Sequence, residues 1–454
     1  MTWSMRSQAL FGTLVMLPLC AIGVQEARGS GFQIREASSS ALGNAFASAT
    51  SGVEDVTFMY FNPASLVYHE KNQAAGSTSF ISPRAELTGS SGSTIAGVPI
   101  TPTSAFNGST SVGENAIVPA LYSMLSVTED LKVGLAVTAP FGLETSLPGG
   151  WTGRYHASDS RLTTINANPT VAYRITDWIS AGVGFQAVYA DARLTNSIDI
   201  GTIGAASGIP GSIPTMQDGF AEVEGDDWGF GYNLGVMIEP HDRVRVGLAY
   251  RSEVKLELEG DGNFDLRGSG TTGAALQSAG LFLDTGIDAD LDLPAQASIG
   301  VNVDVTDNVQ VMGEVAWTQW SSFENLIINF DNPAQPASLT EQDWDDSWFF
   351  ALGANWQPAE HWNLRFGVAH DQTPVPNRTR TPRIPDEDRY WISLGFNYAP
   401  TDWMSLDFGY AHIFVDDSKV NLSATDPGNT FRDNLDASFT TAIDIVGVQG
   451  VIRF

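Results

Sequence analysis

Cysteine is nearly absent from this chain of 454 residues, Cys20 being the single one. That excludes a disulfide-stapled scaffold and any multi-cysteine zinc site. Positive charge is scarce as well: 23 Lys and Arg stand against 52 Asp and Glu, a net charge of −29. So acidic a chain is unsuited to nucleic acid, whose phosphates need a basic partner. Charged residues make only 17% of the chain, below the ~25% of ordinary soluble domains. The apolar share of 43% is too high for a disordered chain. After residue 29 no run approaches 18 consecutive apolar residues. The remaining chain therefore has no segment that could cross a bilayer as a helix, and a membrane reading requires a closed β-barrel. Catalytic signatures are missing too. None of the six histidines sits in an HExxH pattern, and no GxSxG occurs. No catalytic residue, metal-ligand set or cofactor is expected. The clusters Asp226-Asp227, Asp343 with Asp345 and Asp346, and Asp386-Glu387-Asp388 read as hydrated surface, with loop-bound divalent cations as the sharper alternative.

The two ends of the chain carry targeting information. Arg6 precedes a mostly apolar run from Ala9 to Val24, and Ala27-Arg28-Gly29 supplies small residues at the spacing of a cleavage site. This is the pattern of an export signal over residues 1–29. At the other end, Val446, Val448, Ile452 and Phe454 share one parity and the last residue is aromatic. A closing amphipathic strand that ends in Phe454 looks like the signal read by the barrel-assembly machinery of bacterial outer membranes.

Between the ends the dominant pattern has period two. Over 243–259, Val244, Val246, Leu248, Tyr250, Val254, Leu256 and Leu258 fall on one face of a strand, with only Ser252 interrupting the row. Arg, Glu, Lys, Gly and Ala fill the other face; a helix, with period 3.6, would mix the two sets. A lipid-spanning strand needs about 9–11 residues, so the excess is expected to project beyond the bilayer. The same alternation recurs at 131–138, 179–189, 390–398 and 404–414. Fourteen strands are expected near 72–88, 115–128, 131–146, 160–176, 178–195, 222–239, 243–260, 289–305, 308–323, 344–357, 362–371, 388–399, 402–416 and 440–454. The number is even, as antiparallel closure asks. Aromatics near strand ends (Tyr173, Trp178, Tyr189, Trp317, Trp320, Trp362, Trp391 and Trp403) fit interfacial girdles. The Gly-, Ser- and Pro-rich stretches 89–114, 196–221 and 261–288 read as outer loops.

Residues 30–71 lack long alternation but carry Phe32, Leu42, Phe46, Phe58 and Phe61. A barrel of this size has room for a filling segment, and this is the candidate. Ser30-Gly31-Phe32-Gln33, the Ser-rich stretch 38–40 and Asn62-Pro63-Ala64 resemble the N-terminal hatch of FadL-type long-chain fatty-acid transporters. The resemblance extends in order through Trp228-Gly229-Phe230-Gly231-Tyr232-Asn233, Tyr250-Arg251-Ser252-Glu253-Val254-Lys255, Thr373-Pro374-Val375-Pro376 and Ile384-Pro385-Asp386-Glu387-Asp388-Arg389-Tyr390-Trp391. It implies an all-β, 14-stranded antiparallel transmembrane barrel (72–454) in the bacterial outer membrane, with an N-terminal hatch (30–71) in its lumen. It implies passive uptake of a hydrophobic small molecule, moved sideways through an opening in the wall. The rival functions are a general porin and a lipase-like barrel enzyme.

Three prolines bear on that opening. Pro119, Pro140 and Pro169 fall inside consecutive expected strands, where proline cannot donate to a ladder. In the family the kink lies in the third strand, which here holds Pro140, Phe141 and Gly142. Ser30, Gly31, Phe32, Asn62, Pro63 and Ala64 are the expected hatch and gate residues. Ile198, Ile200, Ile213, Met216 and Phe220, with Leu281 and Phe282, are expected to line a capture groove. One departure concerns the ligand. The family's carboxylate-binding cations, an Arg after the fifth strand and a Lys after the ninth, align with Asn196 and Ile327. Arg193, Arg174 and Arg245 are the possible substitutes, and the ligand class stays open between a fatty acid and an uncharged hydrocarbon.

Overall fold

The computed structural model describes residues 30–103 and 110–454, so the expected export signal and Cys20 lie outside the described residues. Fourteen antiparallel strands form the wall. They are β1 (Gln73–Ser93), β2 (Ala116–Ser126), β3 (Leu131–Thr138, resuming at Gly142–Ser146), β4 (Asp159–Thr176), β5 (Ile179–Asp199), β6 (Asp218–His241) and β7 (Val244–Arg251, resuming at Val254–Asp265). The second half comprises β8 (Thr285–Leu293, resuming at Gln296–Thr306), β9 (Val309–Thr318), β10 (Ser347–Ala359), β11 (Trp362–Asp371), β12 (Arg389–Thr401), β13 (Met404–Val415) and β14 (Asn434–Arg453). Each pairs with the next, and β14 pairs with β1 from Gln73↔Arg453 to Ser93↔Asn434, so the sheet has no free edge. Closure is what removes exposed backbone donors and acceptors from hydrocarbon.

All fourteen expected strands are present, and several run higher than the alternation suggested. Strand β5 continues to Asp199 and β6 starts at Asp218, so part of the expected 196–221 loop is ladder. The remainder holds the helix α1 (Ile200–Ala206), and α2 (Gly270–Ser278) occupies the next outer loop. Outside the ring, Asn325–Phe330 and Ser338–Glu341 extend the sheet from β8, and Ser418–Leu422 pairs with the upper part of β14.

The wall wears its apolar side chains outward. Leu121, Val183, Leu234, Leu352, Leu394 and Val448 are all exposed, the inverse of a soluble domain. Exposed Trp178, Trp362 and Trp403 sit at the short-turn end, and exposed Trp228, Trp348 and Tyr390 sit toward the opposite end, marking two interfacial belts. Trp320 and Trp391 do not join them. Both are buried, because Trp391 has the opposite parity to exposed Tyr390 and Ile392 and so faces the lumen.

The long alternating stretch at 243–259 is not one uninterrupted strand. It breaks at Ser252-Glu253, opposite Pro294-Ala295 on β8. Below the break Leu248 and Tyr250 are exposed; above it Val254, Leu256 and Leu258 are buried, although all five share parity. The face inverts where the solvent changes. In lipid the apolar side must point out, whereas above lipid it must point in and leave Lys255, Glu257 and Glu259 to water.

Residues 30–71 lie against the inward face of strands right round the ring. Ser39 N donates to Ser77 Oγ on β1 (3.2 Å), Tyr122 Oη on β2 to Ala37 O (2.8 Å), and Arg174 on β4 to Val67 O (2.9 Å). On the far side, Thr50 N donates to Glu314 on β9 (3.1 Å), and next to β1, Gln449 on β14 donates to Asp55 (2.9 Å). Asn62 caps the short helix Pro63–Tyr68, its side chain accepting from Ala64 N (3.0 Å). Pro63 takes the first helical position, where it loses no hydrogen bond. Asn62 Nδ2 also donates to Val236 O on β6 (3.2 Å). Such close approach needs a bare wall: a Cβ on Gly235 would lie 2.0 Å from Asn62 Oδ1. Replacing Gly235 with Val should leave the barrel heat-resistant on a gel yet expel the 62–64 turn. The expected readout is at least tenfold faster hydrogen exchange across 58–68.

Candidate functional site

The ladder of the wall is broken in the third strand. Pairing between β2 and β3 ends at Leu121↔Val137. Strand β3 stays with β4 to Thr138↔Asn166, leaves it over 139–141, and rejoins at Gly142↔Thr163. On the other side Ala116–Ala120 keep their partners on β1, but among the described residues they have none on β3. A single bridge, Gly113↔Thr145, closes the gap above. Pro119 lies in this unpartnered stretch, where a missing N–H costs nothing. Pro169 solves its own loss differently: the Asn168 side chain donates to Phe185 O (2.8 Å) at the skipped pair.

Residues 139–141 turn inward, and the N-terminal segment meets them. Ile34 N donates to Pro140 O (2.9 Å) and Gly142 N to Phe32 O (2.8 Å), an antiparallel bridge centred on Gln33 and Phe141. Phe141 N donates to Thr164 Oγ1 (3.0 Å), which donates back to Phe141 O (2.6 Å). The groups released by the kink are thereby paired again. Phe32 then anchors an aromatic cluster, with ring centroids 5.9 Å from Phe141, 4.6 Å from Trp320 and 5.7 Å from Trp344. Gly31, at φ +60, leaves no room for a side chain: a Cβ would stand 2.6 Å from Trp344. Its N–H donates to Asp386 (3.0 Å), and Ser30 Oγ to Gln372 O (2.8 Å). Of the residues singled out by sequence, Ser30, Gly31 and Phe32 therefore converge on Pro140, Phe141 and Gly142. Asn62, Pro63 and Ala64 lie elsewhere, against β5 and β6.

Above this junction the lumen is apolar. A cavity of about 100 Å³ is lined by Phe32, Leu143, Leu162, Leu258, Leu291 and Phe323, among others. Leu258 and Leu291 belong to the inverted upper halves of β7 and β8, so the inversion supplies this lining. A larger vestibule of about 390 Å³ adjoins it through Leu194, Val223, Leu326 and Ile328, which both share. Ile198, Phe264, Phe282 and Phe330 line the vestibule. Ile200, with Leu266 and Leu276, forms a small core beneath the loops, against which Leu281 packs. Met216, at 72% exposure, and Ile213 and Phe220 remain open to the outside.

Arg383 spans both cavities. It comes from the segment between β11 and β12, which periodicity did not mark. Its guanidinium donates to Asp159 O (3.0 Å), Ser160 Oγ (2.8 Å) and Thr195 O (3.1 Å), and reaches Asn196 Oδ1 at 3.5 Å. Arg432, across the vestibule, donates to Thr340 and Ser338 (2.7 Å each). Neither forms an ion pair among the described residues. Burial and then the Arg432 charge pull Arg383 down to about 9; burial pulls Arg432 to about 10. Both stay cationic at neutral pH. A positive group thus stands beside Asn196 without coming from β5. Arg174, Arg193 and Arg245 are engaged: with Val67 O, with Glu222 and with Glu239. The signal that could have found Arg383 is its run of neighbours, Thr381-Pro382-Arg383-Ile384, a cation amid residues unable to pair with it.

A closed barrel with an outward apolar band, aromatic belts and an apolar internal path defines an outer-membrane transport protein. The family model described as outer membrane protein transport protein (OMPP1/FadL/TodX) matches residues 20–454, and the chain belongs to that family. It is 30% identical over 411 residues to a long-chain fatty acid transport protein of Escherichia coli O6:H1, covering 85% of this chain and 87% of that one. Among solved structures it superposes on a FadL homologue of Pseudomonas aeruginosa with a TM-score of 0.85 at 24% identity, covering 93% of this chain and 100% of the other. The toluene transporter TbuX of Ralstonia pickettii gives 0.62 at 17% identity, covering 90% and 97%. At these identities the structures speak for the fold. The named relatives are transporters, not enzymes.

The bridge at the kink can be tested directly. Gly142→Pro removes the N–H donated to Phe32 O. In a protein carrying Ser30→Cys, it should raise labelling by a water-soluble maleimide at least tenfold, since an unpaired buried acceptor costs about 1–3 kcal/mol.

Proposed function

We propose that this protein takes up long-chain fatty acids passively and releases them sideways into the outer leaflet. The observation that carries the reading is Arg383, a cation with no carboxylate partner at the head of an apolar cavity. A fatty acid offers one carboxylate for Arg383 and Arg432 and a chain for the cavity below. Charge-assisted bonds to guanidinium are the strong ones, and a bare hydrocarbon would leave these donors unanswered. The relatives named for long-chain fatty acids support the same choice.

In this reading the vestibule and the loops bearing Ile198, Ile200, Ile213, Met216, Phe220, Leu281 and Phe282 form the capture groove. Residues 1–29 are an export signal, and residues 30–71 are a hatch whose first residues hold the kink shut. The break between β2 and β3 is the exit. Leaving sideways keeps the chain out of water, where re-exposure costs about 25 cal/mol per Å² of apolar surface. Phe454, exposed at the end of β14, is the residue offered to the assembly machinery.

Two measurements test the proposal. Replacing Arg383 and Arg432 with Ala should weaken oleate binding about 10–100-fold, the worth of a lost charge-assisted bond or two, and leave hexadecane binding unchanged. Equal losses for both ligands would assign the site to uncharged hydrocarbons. Carrying the register one step past Leu121↔Val137 sets Ala120 opposite Thr138, and a disulfide between cysteines there would seal the wall. Oxidation should stop oleate uptake and reduction restore it. Transport at the normal rate through the sealed barrel would send the ligand toward the periplasm instead.

A further inference from the structure

The vestibule is roofed by residues 423–433, which contribute Thr430, Phe431 and Arg432 to its lining. At the root of this segment sits Asp433. It is fully buried, at φ +71, and neither carboxylate oxygen has a hydrogen-bond partner among the described residues. Burying a carboxyl without partners is far costlier in the ionised form than in the neutral one. The surroundings do not compensate it. Asp199, at the start of α1, is spoken for by Thr202 N (2.8 Å) and Thr215 N (3.1 Å) and adds a like charge. Asp218, which bears on Asp199, is bound to Arg154 Nε and Tyr155 Oη (2.7 Å each). Arg154 is the cation that opposes these effects on Asp433, and it is committed to Asp218, Thr215 O and Tyr155. Arg432, next in the chain, turns away to Ser338 and Thr340. His156 meets Asp433 only at the backbone carbonyl, through Nε2 (3.1 Å).

We infer that Asp433 is a proton-operated catch: the neutral carboxyl docks the 423–433 roof against α1 and the 151–157 loop, and its ionisation releases the roof from the vestibule. Burial first, then Asp199, pushes Asp433 up to about 7, with Arg154 opposing. Two of the groups facing it, His156 and Tyr155, do not switch in this range. Burial holds His156 down to about 3, so it is neutral, and Tyr155 is raised by burial and stays protonated. Asp199 is itself raised by burial, with its bonds to Thr202 and Thr215 opposing, and the Asp433→Asn variant, which keeps Asp199, separates the two carboxyls. In an undocked roof Asp433 would titrate at its ordinary 3.8. Docking therefore takes up a proton between about pH 4 and 7. It is tightest at the acid end, weakens as pH rises through that window, and is weakest above about 7. As control of ligand capture, the catch rests on the vestibule being the capture site; as a motion of the roof, it does not.

The test uses two residues of the roof itself, Ala424, fully buried, and Thr430, exposed. The predicted mature chain has no cysteine, so Ala424→Cys and Thr430→Cys can each be labelled with maleimide in refolded protein. The ratio of the two labelling rates cancels the thiol's own pH dependence. It should rise about tenfold from pH 5.5 to 8.0, and Asp433→Asn should hold it flat at the low value. A flat ratio in the parent, or an unchanged rise in Asp433→Asn, overturns the catch. Should Asp433→Asn fail to give a heat-resistant barrel, the parent profile decides alone. Loss of oleate binding with the pH response intact would count against the fatty-acid reading and leave the catch standing.

Discussion

Hydrocarbon offers a backbone no hydrogen bonds, and most of this architecture answers that constraint. Fourteen strands close on themselves because an open edge would leave a row of N–H and C=O groups unpaired in lipid. The same rule governs the flaw in the wall. Strand β3 can leave its neighbours over 139–141 because other groups take their place: Phe32 O and Ile34 N from the N-terminal segment, and the Thr164 hydroxyl from β4. Break and N-terminus are thus one unit. The segment at 30–34 is held by the groups that the kink sets free.

A second consequence follows from where water begins. Strands β7 and β8 reverse their faces at Ser252-Glu253 and Pro294-Ala295. Apolar side chains that would meet lipid below the break meet one another above it. The reversal gives the lumen an apolar lining of Leu258 and Leu291 just above Phe32. Over that lining stand Arg383 and Arg432, so that a cationic rim and an apolar shaft share one axis. The fatty-acid proposal rests on that pairing of a cation with an apolar lining.

The strands were legible because period-two alternation against lipid is a one-dimensional property. Leu131 through Val137 or Tyr390 through Tyr398 announce themselves without a partner strand. The kink was legible too, since Pro140 and Gly142 are local signals. Other features were not. The face reversal was hidden because Val244 through Leu258 keep perfect parity across a break that only Ser252 betrays. Trp391 reads as a girdle residue until its parity against Tyr390 and Ile392 is weighed. Asn62-Pro63-Ala64 carries its own cap and turn in sequence, yet nothing local says that it rests against Gly182 and Gly235 rather than beside the kink.

By itself, the sequence determined the number of strands, their order, the two faces in the lipid band and the absence of a helical way through a membrane, because each is written in spacing along the chain. Tertiary structure alone decided which cation serves the cavity. Asn196 and Ile327 stand where a cation would be sought, and the charge beside Asn196 comes from Arg383, 187 positions along the chain. The reason is physical. A Coulomb interaction depends on distance in space, and barrel closure brings the β11–β12 segment over the end of β5 wherever the two lie in sequence. Asp433 makes the same point in reverse. Its neighbours in sequence are ordinary, and only the fold around it leaves a carboxylate buried without a partner among the described residues.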